Sequence, residues 1–392
     1  MLRSESETLA QILSECPAVR SEDVTLADAG GRVLVETRLA NIPLPLFDNS
    51  VMDGYAVQAA DAQTGAELKV IGEQAAGLDR QLQLGSGEAI RIFTGAPIPV
   101  GADAVVMQED CDQIGDRVRL RVGVKSGEFI RRQGEDLARG QKIGQPGQVL
   151  TAARLAVFAS QGIESTKVSV RPRVALIATG SELRSGSAPL GPGEIYETNR
   201  LMLAELVRQT GAVPTSFPIV PDDRAAQADA LRRALESDVV IVSGGASVGD
   251  KDLVKAVLSD LGVELRLWRV AIKPGKPFLY GRRDETLIFG LPGNPVSAYV
   301  TYFVFVRPLL FLLQGRADLE ERRVVLTAAA EVHNKGDRPH YLRVKIEGHQ
   351  FWPVGRQESH ALFGLAQANG LVRLDPQSSL AAGQLAEVIW LE

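Results

Sequence analysis

The sequence predicts a multidomain chain in which a central α/β domain with a mostly parallel sheet accompanies an inserted all-β domain and a small C-terminal β domain. Three observations predict it. From 171 to 315, β-type apolar runs alternate with amphipathic helical stretches, the pattern of right-handed βαβ crossovers with helices on both faces of a sheet. From about 52 to 137, short β-type runs alternate with Gly, Pro and Asp turns and show no helical period of useful length. From 320 onward short β-type runs return. A length of 392 residues accommodates several such domains.

The elements follow in order. Ser4 and Glu7 form a capping-box pattern that opens a helix over 4–16, and a short apolar stretch, "GGRVLVETRLA", occupies 30–40. "NIPLPLFDNS" reads as a rigid linker, because its two closely spaced prolines favour extended backbone. "ELKVIG", "EAIRIF", "ADAVVM" and "DRVRLRV" supply the strands of the inserted module. "LTAARLAVFASQG", 150–162, has helical spacing and a closing glycine, so a helix is expected to return the chain to its first segment. Then "RVALIATG", "AVPTSFPIV", "DVVIVSGG" and "TLIFG" read as strands, separated by helices in "NRLMLAELVRQTG", "DRAAQADALRRALES" and "DLVKAVLSDLG". A last helix runs from near Asn294 to about Leu313. Its apolar stretch, Val296 to Val306, falls short of the ~20 residues that span a bilayer and is interrupted by Arg307-Pro308, so a buried helix is expected. "RRVVLTAAAEV", "HYLRVKIE" and "LAEVIWL" give strands of the C-terminal domain.

Composition excludes several classes of function. Forty-three basic against 48 acidic residues leave a formal charge of −5, which argues for neither nucleic acid nor an anionic membrane as partner. Cys16 and Cys111 are the two cysteines and form no CxxC pair. A disulfide framework and a thiolate zinc site are therefore not expected, and a reducing, cytoplasmic compartment is. The N-terminus carries no apolar signal core. His333, His340, His349 and His360 are all near the C-terminus, so chemistry in the body of the chain must run on carboxylates, lysines, hydroxyls and bound metal.

In a parallel α/β sheet the ligand sits outside the C-terminal ends of the strands, where four loops leave this sheet: "ATGSEL", "VPDD", "SGGASVGDKD" and "GLPGNPVS". Alone, "TGSE" (179–182) is an ordinary helix cap and "PDD" (221–223) an ordinary N-cap. "SGGASVGDKD" is more specific. Gly244 and Gly245 allow close approach of backbone N–H groups to a phosphate, and a helix from Asp252 would present its N-terminus to that anion. No Gly-Lys-Ser/Thr follows, so this is not a Walker loop; carboxylates stand where a P-loop has its lysine, which suggests a phosphate reached through a metal ion. "LPGNPVS" packs Pro292, Gly293 and Asn294 into a stiff turn before a helix. In "VAIKPGKPF", Lys273 and Lys276 can converge on one anion across a turn stiffened by prolines, although two lysines in a loop are more usually a solvated basic turn. "FDNSVMDGYAV" (Asp53), "RIFTGAPIPVGADAVV" (Thr94) and "RRQGEDLARG" (Asp136) each read equally well as structural turns. "RPHYLRV" and "RQESHALFGLAQANGL" bring Arg338, Arg343, Ser359 and His360; a lone histidine there is left without a role.

Taken as an ordered set from about residue 8 to 390, these motifs resemble the molybdopterin molybdenumtransferases, the MoeA family that includes the E domain of gephyrin. The resemblance implies a discontinuous domain over 1–45 and 140–170, an inserted β domain over 46–139, a MogA-like molybdopterin-binding α/β domain over 171–320 and a barrel-like β domain over 321–392. It implies a homodimer whose cleft joins the α/β domain of one subunit to the inserted domain of the other, with the molybdopterin adenylyltransferase as a further partner. The reaction implied is insertion of molybdate into adenylylated molybdopterin, with Mg²⁺-dependent cleavage of the pyrophosphate bond and release of AMP. By motif, Asp53, Asp136, Glu182, Asp222 and Asp252 are catalytic acids, with Asp222 and Asp252 as metal ligands. Gly244, Gly245, Ser247 and Pro292–Asn294 hold pterin and nucleotide, and Thr94 is a further substrate contact. Lys273, Lys276, Ser297, Arg343 and Ser359 hold the molybdate. Where the family has a glycine before that serine, this chain has Glu358. The alternatives are the related adenylyltransferase, which lacks the flanking β domains, and a non-catalytic pterin-binding scaffold.

Overall fold

Residues 2–187, 189–244, 253–320 and 322–391 are described by a computed structural model. The chain divides into two units: Met1–Glu36 with Pro146–Leu155 and Ser165–Glu392, and Thr37–Gln145 with Ala156–Glu164.

In the first unit, Arg173–Ala178, Val239–Ser243 and Thr286–Leu291 pair in parallel at the centre of a six-stranded sheet. Their continuous apolar runs have a direct cause. Val239 and Ile241 face one core with Leu176 and Phe289, whereas Val240 and Val242 face a second core with Ile177 and Ile288. Both faces are covered, so neither set of alternate positions can be polar. Each of these four residues is fully buried, which contributes roughly 2 kcal/mol per side chain. Register then fixes where the strands end. Ala178 lies beside Ser243, and Ser243 beside Leu291, so the loops that begin at Thr179, Gly244 and Pro292 leave the sheet at one level.

The flanking strands differ from expectation. Val213–Ser216 is a short parallel edge strand whose Pro214 suits an edge position. On the other side, Pro277–Arg283 and Glu264–Arg269 are antiparallel additions to the sheet. The sequence pattern hid both, because "VAIKPGKPF" reads as a single turn although its last two residues already begin a strand. The helical rod Pro295–Leu313 contains no exposed residue, and Pro308 does not end it. Tyr302–Val306 forms a π turn just before this proline, a local widening of the helix at the point where its ring must be accommodated.

The N-terminal helix, Glu5–Ser14, carries the expected capping box between Ser4 and Glu7. Ser21–Thr25 pairs antiparallel with Ser165–Ser169. The C-terminal segment closes a five-stranded barrel from Arg323–Ala328, Gln350–Pro353, His340–Glu347, Gly370–Leu374 and Leu385–Trp390. At the start of the His340 strand, the Lys273 backbone bonds to the residues on either side of His340 (Lys273 N donates to Pro339 O, 2.8 Å; Tyr341 N donates to Lys273 O, 2.8 Å), joining the lysine turn to the barrel.

The second unit is built on a six-stranded sheet in which Gly54–Val57 sits between Glu88–Ile92 and Ala104–Met107. Tyr55 and Val57 enter one core cluster and Ala56 another, so this strand too is buried on both faces.

Two consequences are measurable. A Cβ on Gly54 would lie 1.9 Å from the Val106 carbonyl oxygen, a clash with backbone that cannot be relieved by a rotamer change. Gly54→Ala should therefore destabilise the second unit by about 3 kcal/mol, seen as a lowered denaturation midpoint. His340 is 4 % exposed and neither ring nitrogen has a hydrogen-bond partner. Burial, reinforced by Lys273, Arg343 and Arg338, pushes its pKa from 6.5 down to about 4. The unfolded chain then takes up the proton first as pH falls, so stability is level above pH 6.5 and declines from there to about pH 4. His340→Leu should remove that part of the decline from a plot of Tm against pH.

Candidate functional site

The loops at the C-terminal ends of the central strands are tied to one another by short polar contacts. Ser181 N donates to Asp222 Oδ2 (3.2 Å) and Asp222 N donates to Ser181 Oγ (3.0 Å). This reciprocal pair locks the "TGSE" loop to the "PDD" loop. Within the latter the two acids divide their work: Asp223 caps the following helix by accepting from Ala226 N, which leaves Asp222 to the pair with Ser181. Glu182 folds back over Gly180, where its Oε2 occupies the space a Cβ would need, 2.6 Å from that position. Glu182 and Asp222 are thus presented on adjoining loops, both exposed. Ser181, which the motif analysis did not single out, holds them there; a serine between a glycine and an acid carries no distinctive signal.

Gly244 completes this group from the next strand. Its φ is +89°, and a Cβ there would lie 2.4 Å from the Thr179 carbonyl oxygen, so only glycine fits. Gly245, Ser247 and Asp252 lie outside the described residues. A Cβ on Gly293 would come within 3.8 Å of Gly244 Cα, so the Pro292–Asn294 turn touches the same loop.

That turn also meets the C-terminal segment. Asn294 Nδ2 donates to Ser359 Oγ (2.9 Å), and Val296 N donates to Ser359 O (3.2 Å). Ser297 is buried one turn before Thr301, whose hydroxyl donates to the Ser297 carbonyl (2.8 Å). The lysine turn packs on the same helix: a Cβ on Gly275 would lie 2.6 Å from Thr301 Cγ2. Pro274 and Gly275 are buried while Lys273 and Lys276 are exposed on either side, which directs two ammonium groups outward from a fixed base.

Arg343 has a different place from the one its motif suggests. It is 1 % exposed, and its guanidinium donates to the carbonyls of Ala361 (2.9 Å), Glu358 (3.3 Å) and Arg356. These bonds gather the 356–361 loop around the side chain and so set the position of Ser359. Burial lowers its pKa from the usual arginine value, but the group is a loop organiser by geometry.

In the second unit, Asp53 accepts from both Thr94 N (2.8 Å) and Thr94 Oγ1 (2.9 Å). These bonds, helped by the nearby Arg91 charge, hold the Asp53 carboxyl below the usual range. The adjoining turns are joined through Gly95 N to Ser50 O (2.8 Å) and the pairing of Asn49–Ser50 with Ile130–Arg131. Asp136 is exposed, its N–H bonded to Leu44 O (3.0 Å).

Among the described residues no cluster of three or more His, Cys, Asp or Glu could by itself hold a metal. The donors at the strand ends are nevertheless carboxylate oxygens, the type a hard Mg²⁺ ion takes when it shares its shell with substrate phosphates and water.

Comparison with known proteins gives this arrangement a context. Residues 3–162 match the MoeA N-terminal region (domain I and II), 175–311 a probable molybdopterin binding domain, and 325–391 the MoeA C-terminal region (domain IV). The chain is 40% identical over 407 residues to molybdopterin molybdenumtransferase 2 of Mycobacterium tuberculosis, covering 99% of both chains. It is 37% identical over 377 residues to the molybdopterin molybdenumtransferase of Nostoc sp., covering 94% of this chain and 86% of the relative. A solved structure of the molybdopterin biosynthesis protein moeA from Pyrococcus horikoshii superposes with a TM-score of 0.86 at 29% identity, covering 100% of both chains. Continuous similarity along the whole length establishes that the chain belongs to the MoeA family of molybdopterin molybdenumtransferases, the transferases of molybdenum cofactor biosynthesis.

Proposed function

We propose that the chain inserts molybdate into adenylylated molybdopterin, cleaving the pyrophosphate bond and releasing AMP. The observation that carries this reading is the reciprocal Ser181–Asp222 pair, which presents Asp222 and Glu182 together beside the glycine turn at Gly244. Backbone N–H groups of a glycine turn suit a phosphate, and two exposed carboxylates beside it suit a phosphate only if its charge is shared with a cation.

Asp222, with Asp252, is the residue we assign to Mg²⁺; when bound, the ion would neutralise phosphate oxygens and polarise the anhydride. The chain's own groups do the rest. Gly244, Gly245, Ser247 and the Pro292–Asn294 turn orient the pterin phosphate and nucleotide. Asp222 and Glu182 position the attacking oxygen, a water or a molybdate oxygen. Lys273, Lys276, Ser297 and Ser359 desolvate the molybdate dianion and hold it with fixed donors, where charge-assisted bonds are strongest. Arg343 acts one step back, through the loop that carries Ser359. Asp53, Thr94 and Asp136 take part as further functional residues, and the working form is a homodimer.

The decisive assay supplies adenylylated molybdopterin and Mg²⁺, adds molybdate and follows AMP. Molybdate-dependent AMP release is expected. Pyrophosphate released from ATP and molybdopterin would instead identify an adenylyltransferase, and absence of either reaction a pterin-binding scaffold. Asp222→Asn should lower turnover by about a hundredfold or more while binding of molybdopterin stays near that of the parent protein; full activity in this variant would remove Asp222 from the mechanism.

A further inference from the structure

We propose that Asn199 is a positioning residue that clamps the Gly244 loop to the Pro292–Asn294 turn and so shapes the pterin site. This inference rests on the reading that these two turns hold the pterin substrate. Asn199 stands at the first turn of the helix Asn199–Gln209, 8 % exposed. Its Nδ2 donates to Ser243 Oγ (2.7 Å) and to the Gly293 carbonyl (2.7 Å). One amide nitrogen thereby connects the last residue of one central strand to the turn that follows its neighbour. The bond to the Gly293 carbonyl also fixes which end of the amide is nitrogen, since a carbonyl can only accept.

Among the described residues the backbone joins these loops weakly: Gly244 N reaches Leu291 O at 3.3 Å, near the outer limit of a useful bond. Asn199 supplies the two shorter contacts. The cost is visible in the same side chain, because Asn199 Oδ1 is buried with no hydrogen-bond partner, as is Oγ1 of Thr179, the first residue after the neighbouring strand, whose N–H donates to the Ser243 carbonyl. A buried acceptor left unmet costs stability and calls for an explanation beyond packing. What Asn199 offers instead is two N–H bonds in one plane, a geometry that aspartate, leucine or serine cannot reproduce in full.

The test measures binding of molybdopterin, followed through its pterin fluorescence, together with kcat and KM for the adenylylated substrate. Asn199→Ala should raise the molybdopterin Kd and the substrate KM tenfold or more and change kcat less than threefold. Its Tm should fall only modestly, because the unmet acceptor leaves with the side chain while the Ser243 hydroxyl and the Gly293 carbonyl lose their donor. Asn199→Asp should bind more weakly still, as a carboxylate would face the Gly293 carbonyl. Asn199→Ser, with one donor, should lie between Ala and the parent. Molybdopterin binding within twofold of the parent for Asn199→Ala, or a loss confined to kcat, would overturn the proposal. So would variants that lose cooperative unfolding without any graded change in affinity. If the parent protein itself fails to bind molybdopterin, the assignment of the site falls, and the clamp with it; if the parent binds and the variants match it, the clamp alone falls.

Discussion

Parallel register is the constraint on which the rest depends. Because Ala178, Ser243 and Leu291 stand side by side, three loops far apart in sequence start from neighbouring points, and the other elements of the site gather around them. The hydrophobic effect sets this register indirectly. A slip of one residue would exchange the two buried faces of the Val239–Ser243 strand, and each face has its own core to fill. Burial of aliphatic side chains in the sheet thus decides where carboxylates meet at its rim.

The rim itself is held by polar bonds rather than packing. Ser181 and Asp222 exchange hydrogen bonds, Asn294 reaches Ser359, and Arg343 gathers the loop on which Ser359 sits. The arrangement separates acidic from basic groups by element. Acids come from the loops after Arg173–Ala178 and before the helix Arg224–Ala234, whereas ammonium groups come from the turn between the antiparallel edge strands. On the proposed reading, this division matches an anionic substrate with a cation at one end and an oxyanion at the other.

Much of this was legible in the sequence, and the part that was not has physical reasons. The strand Val239–Ser243 and its glycine turn are visible because four consecutive β-branched residues ending in two glycines have few other uses. The capping box at Ser4 and Glu7 is visible because it is local. The edge strand Glu264–Arg269 is hidden because an edge position tolerates charged residues on alternate sites, so "ELRLWR" lacks the apolar run of the centre. Arg343 illustrates a deeper limit. A motif fixes the residue type, but whether a guanidinium points to a ligand or to its own loop depends on carbonyls at 356–361 that the motif does not contain. The partnership of Ser181 with Asp222 spans 41 residues and becomes apparent only once the strands are paired.

The rod Pro295–Leu313 starts at the site and has no residue fully exposed to water. Substitution is therefore penalised at most positions along its length. Innovation is channelled instead into the few residues at its head and into the lysine turn resting against it, so that a conservative shaft carries an adaptable tip.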